Sequence, residues 1–215
     1  MDQLELLKQK WQSQEQDLPV LSYKDIYSML LKKSSSIVKW IFIISIAELL
    51  LWAALSLFVP ESSKRFMADM GIDDLMLVFT ILNYVVVAVF LFLFYRNYTA
   101  IKTTDTIKNL MANILKTRKT VRYFVIYNVG SMILGLLCIN VYFFLNQDKL
   151  QKALIHDYPD YEKIPMEQIT SVYFIAQLIV GVIMVLLLLL FYRIIYGILL
   201  KRLKRNYREL KKIEV

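Results

Sequence analysis

The chain has 215 residues, 58% of them hydrophobic, with a mean hydropathy of +0.49 and only 5 Gly and 4 Pro. That is too apolar for a water-soluble domain of this size and reads as an all-α, polytopic membrane protein. The net charge of +8 raises nucleic acid as a partner, but its basic residues lack an aromatic-interleaved motif and gather beside apolar windows, so no nucleic-acid binding is expected.

In chain order, residues 1–36 form a polar tail of mixed charge without the short apolar core and cleavage site of a removable signal peptide. The first span is therefore expected to act as its own targeting signal. Leu4, Leu7 and Trp11 recur at helical spacing before the break at Pro19. Ser22, with Asp25 three residues on, resembles a capping box and starts a second helix with Ile26, Met29 and Leu30 on one face. This cytoplasmic amphipathic segment lacks a core of its own, so Leu4, Leu7, Trp11, Ile26, Met29 and Leu30 are candidate anchors for a partner helix-groove or for self-association.

Residues 37–196 contain four windows that meet the length rule of roughly 20 apolar residues per span: 37–59, 75–95, 123–145 and 172–196. Between the second and third, the loop 96–122 carries seven basic residues against one acid, Asp105, and 201–212 carries seven more basic residues. The connections 61–74 and 148–167 are acidic, with two positives against four acids and three against five. This alternation predicts that both termini and the middle loop are cytoplasmic and meet anionic lipid headgroups.

In the middle loop, Ile107, Leu110, Met111 and Ile114 share one face, which predicts an amphipathic helix on the membrane surface or against a neighbour. After the fourth span, residues 197–215 form a basic stem in which Leu199, Leu203, Tyr207, Leu210 and Ile213 continue a three-four spacing. The predicted architecture is thus four transmembrane helices with attached amphipathic cytoplasmic helices.

The residues that carry chemistry are few. A metal site needs several His, Cys or carboxylate ligands at ligand spacing, whereas this chain has one histidine, His156, in an acidic connection and one cysteine, Cys138, within the third span. There is no Gly-rich phosphate loop and no nucleophile motif. No catalytic residue, metal or cofactor is expected, and an enzyme is disfavoured.

The polar residues inside the spans say more. At 100° per residue, Ser45, Glu48, Trp52 and Ser56 fall within an arc of about 80°, and Lys39 lies on the opposite side, about 13 Å away along the axis. Lys39 is expected to snorkel to the cytoplasmic headgroups. The second span offers Asn83, the third Asn128 and Ser131, and the fourth Gln177. Together Ser45, Glu48, Trp52, Asn83, Asn128, Ser131 and Gln177 form a candidate polar seam. One reading makes Glu48 a neutral carboxyl that bonds to Asn83 or a neighbour and fixes bundle register. The other makes it part of an ion or proton pathway. The first span holds 14 Leu, Ile, Phe and Val residues, whose insertion energy offsets the roughly 3 kcal/mol cost of one central charge, so a carboxylate here requires no functional explanation.

The opening residues 4–48 carry Leu6 or Leu7, Lys8, Trp11, Gln12 and Gln14, an LKxxWxxQ pattern, ahead of Lys32, Lys33 and Ser34 to Ser36. In these residues the chain resembles a group of uncharacterised four-span inner-membrane proteins of Gram-negative bacteria. That resemblance implies residence in the bacterial inner membrane. Similar tails occur in membrane proteins encoded beside extracytoplasmic-function sigma factors, which implies an anti-sigma-like role. Some proteins of this appearance are called carotene monooxygenases, but carotene-cleaving membrane enzymes hold iron with several histidines, and His156 stands alone here. The sequence points to a non-enzymatic interaction, regulatory or scaffold protein; the alternative is a small channel or transporter with Glu48 in its pathway.

Overall fold

A computed structural model describes Glu5 and residues 22–213 except 158; the tail anchors Leu4, Leu7 and Trp11 lie outside the described residues. Helix α1 (Tyr23–Leu57) opens with the capping box read in the sequence. The Ser22 hydroxyl accepts from the Asp25 amide at 3.3 Å and the Asp25 carboxylate accepts from the Ser22 amide at 3.1 Å. Pro60 follows the end of α1 and caps α2 (Glu61–Met70). Gly71, at φ 68°, ends α2 in the left-handed region, where a side chain would be strained.

Helix α3 (Asp73–Lys102) sets two acids in its first turn and Lys102 in its last, each matched to the helix dipole. Thr106 then caps α4 (Ile107–Leu145) through its hydroxyl and the Asn109 amide. A short helix α5 (Gln147–Asp157) and a 3-10 turn (Pro159–Lys163) lead to α6 (Met166–Ile213), which is 48 residues long. The four prolines, at 19, 60, 159 and 165, all lie outside α1, α3, α4 and α6, so nothing in these helices removes a backbone donor.

These four long helices close a ring. α1 packs on α3 and α6, and α4 packs on the same two, so that consecutive spans are neighbours and α1 meets α4 only slightly across the diagonal. All four are long and apolar enough to cross a membrane. Their outward faces carry a band of exposed apolar side chains, among them Leu50, Leu82, Val89, Leu134, Leu137 and Leu187. Such a surface suits lipid and not water. At one end of the ring, α2 and α5 pack on each other. This is the acidic end, built on Met70, Ile72, Phe143, Leu150 and Ala153, with the Tyr142 hydroxyl donating to the Met70 carbonyl at 2.9 Å.

The other, basic end is made by the surplus length of the helices. At 1.5 Å per residue α4 and α6 reach about 58 and 72 Å, far beyond a hydrocarbon core of about 30 Å. Residues 107–122 are the opening turns of α4 itself, continuous with the third span, because no glycine or proline separates them. Leu110 and Ile114 are fully buried there against Leu30, Val38, Ile101, Leu203 and Leu210. The basic stem is likewise the continuation of α6.

Hydrogen bonds cross this end between all four helices. Asn206 donates to the Ser34 hydroxyl at 3.1 Å. Asn97 donates to the Thr120 hydroxyl at 3.1 Å and Asn113 to the Thr104 hydroxyl at 2.9 Å. The Tyr27 hydroxyl donates to the Thr104 carbonyl at 2.9 Å. Buried polar groups satisfied in this way specify one register of the helices.

Candidate functional site

Between the two ends, inside the ring, lies a cavity of about 370 Å³ lined by all four long helices. α1 contributes Ser45, Glu48 and Trp52; α3 contributes Thr80, Asn83 and Tyr84; α4 contributes Asn128 and Ser131; α6 contributes Met184 and Tyr192. Six of the seven seam residues read from the sequence, Ser45, Glu48, Trp52, Asn83, Asn128 and Ser131, thus meet around one space. Gln177 does not line it. Its side-chain oxygen is buried without a hydrogen-bond partner, one turn from Gly181. A Cβ on Gly181 would stand 3.3 Å from Leu136 Cδ1, so the glycine sets how closely α4 and α6 approach.

Glu48 is buried at the edge of this space, and its partners come from α6 rather than from Asn83. The Tyr192 hydroxyl donates to Glu48 Oε1, and the Tyr196 hydroxyl stands 3.3 Å from Glu48 Oε2. Tyr196 also lies 3.1 Å from the Ser45 hydroxyl, which donates to the Ile41 carbonyl at 2.7 Å. Two tyrosines four residues apart share a helix face, and both phenol rings pack on Phe124, with centroids 6.3 and 6.0 Å away. Each carboxyl oxygen therefore has a neutral partner, and among the described residues no Lys, Arg or His lines the cavity.

Three other polar side chains of the wall are turned to their own backbones. Thr80 donates to the Met76 carbonyl at 2.7 Å, Asn128 to the Phe124 carbonyl at 2.8 Å, and Ser131 to the Asn128 carbonyl at 3.1 Å. These bonds satisfy the donors without tying the helices together across the cavity.

Towards the basic end, Ile41, Phe94, Val121, Phe124, Tyr192 and Tyr196 form a buried aromatic and aliphatic plug. The cavity wall reaches the surface at Trp52, Phe79 and Met184, which are 43%, 40% and 40% exposed. Of the candidate partner anchors within the described residues, Leu30 is buried in the basic-end core, Ile26 packs against that core, and Met29 is exposed.

Tyr192 and Tyr196 are the site residues that reading the sequence overlooked. Their signal was a pair of hydroxyls at four-residue spacing facing the depth of Ser45 and Glu48. Near the basic edge of a span, tyrosine is also the ordinary interfacial residue, so that signal does not stand out.

No curated protein and no solved structure matches this chain. The tail pattern at residues 6–14 precedes the segment that a family matches. The chain belongs to the family described as "Domain of unknown function (DUF8845)", which matches residues 24–215 and so takes in the whole bundle and its cavity.

Proposed function

We propose that this chain is a non-enzymatic interaction or regulatory protein of the bacterial inner membrane, with both termini and the basic end in the cytoplasm. The observation that carries this reading is the basic end itself, where four membrane-crossing helices continue as one packed unit with Leu110, Ile114, Leu203 and Leu210 fully buried. Lys33, Lys108, Lys116, Lys201, Lys204 and Arg208 are exposed around it, facing anionic headgroups and an acidic partner surface. Leu4, Leu7 and Trp11, which precede α1 in the sequence, serve as anchors for a protein partner or a second copy, and the resemblance of the tail favours an anti-sigma-like or scaffold role. Cross-linking of the full-length protein in its native membrane, followed by purification, tests this. A specific partner or a self-adduct should be lost in the Leu7→Ala, Trp11→Ala double variant, and an unchanged adduct pattern removes the reading.

The cavity favours a second reading, a small transporter or channel with Glu48 in its pathway. Flux of a solute or of protons into proteoliposomes should then fall in Glu48→Gln. Equal flux in parent and variant, or none in the parent, eliminates it.

A further inference from the structure

The cavity has a composition that selects one class of ligand. Among the described residues its one ionisable acid is Glu48, with Tyr84 from α3 and Tyr192 from α6 as the other titratable groups in the wall, Tyr196 behind, and none from α4. An anion has no counter-charge there. A hard divalent cation, which draws its charge balance from several carboxylates, would find one in the wall, and no group of three or more His, Cys, Asp or Glu stands together among the described residues. Aromatic rings, by contrast, are abundant: Trp52, Phe79, Tyr84, Phe124 and Tyr192 surround the space, with Met132 and Met184 as adaptable apolar wall. The volume of about 370 Å³ suits a small organic molecule.

We infer that the cavity is a binding site for a monovalent organic cation with an apolar or aromatic body, whose charged centre sits at Glu48. The inference deepens the transporter reading by naming its solute class, yet binding alone is enough for it to hold.

The hydrogen-bond arrangement accommodates Glu48 both protonated and ionised. The Ser45 proton is used on the Ile41 carbonyl. With Glu48 ionised, Tyr192 donates to Oε1 and Tyr196 to Oε2. With Glu48 protonated at Oε2, that second bond reverses and the Tyr196 proton turns to the Ser45 oxygen, so every group is again satisfied. The chain Glu48, Tyr196, Ser45 and Ile41 therefore accommodates both states by rotation of one hydroxyl. Arrival of the cation breaks the Glu48 O–H bond; the proton passes to water, and the carboxylate pairs with the cation, so net charge in the cavity is unchanged.

Equilibrium dialysis of tetraphenylphosphonium against the full-length protein in an uncharged detergent tests this. Saturable binding of about one cation per chain is expected, weakened by roughly tenfold or more in Glu48→Gln. The parent should release about one proton per cation bound, and its affinity should fall as the pH is lowered. The proton release is read on the parent itself, so it decides even where the variant fails to fold. Absence of saturable binding, equal binding by a folded Glu48→Gln, or binding without proton release overturns the inference. Binding with no flux removes transport and leaves the site.

Discussion

The basic end and the cavity are built from the same four helices, yet one is packed solid and the other is hollow. At the basic end the apolar stripes of α1, α3, α4 and α6 meet water on their far side, so burying Leu110, Ile114, Leu203 and Leu210 gains hydrophobic free energy of about 25 cal/mol per Å². Within the apolar band the far side is lipid, which is as apolar as leucine, and helix association gains nothing from burying more of it. There the helices are held by close approach at Gly181 and by the bonds of Glu48, and space can remain between them. The comparison locates stability at one level of the bundle and leaves another level free to bind.

Breaking the packed level should have the largest effect. Leu110→Ala or Leu203→Ala is expected to cost about 2–5 kcal/mol in denaturant unfolding, whereas Leu134→Ala on the exposed face of α4 should cost far less. Equal costs at the two levels would dissolve the distinction. Next in size is Ser34→Ala, which leaves the buried Asn206 amide without its acceptor and should cost about 1–3 kcal/mol in the same measurement.

The hollow level should respond more weakly. Glu48→Leu orphans the Tyr192 hydroxyl, while Tyr196 keeps Ser45, and is expected to cost about 1 kcal/mol, in keeping with interhelical hydrogen bonds in membranes. Glu48→Gln, which can still accept from Tyr192, should cost less than that, and a loss as large as that of Leu110→Ala would show that the seam is the true core. Smallest is Asp69→Asn at the acidic end. Its partner His156 is 2.7 Å away but 61% exposed, so thermal unfolding should move little.

Much of this arrangement is legible in the sequence, for reasons that differ by element. The four spans follow from apolar length, and the start of α1 at Ser22 follows from a local bonding pattern that three residues complete. The meeting of Glu48, Asn83, Asn128 and Ser131 follows from helical spacing and depth. Gln177 shares their polarity but not their cavity, because spacing along one helix does not say how that helix is rotated against its neighbours. The union of 107–122 with the third span was hidden by Arg118 and Arg122, which mark a topological edge without ending a helix. Tyr192 and Tyr196 could only be assigned to Glu48 once α6 was known to lie beside α1.

The length of α6 has a mechanical consequence. It carries Tyr192 at the cavity and Leu210 in the basic-end core on one rod without proline. Eighteen residues of helix separate these levels, about 27 Å, so a tilt of about 5° pivoting at Tyr192 displaces the far end by about 2 Å. That is comparable to the helix shifts by which packed interfaces switch between arrangements. Occupancy at the tyrosines would thus be felt as a change of lever position at the opposite end.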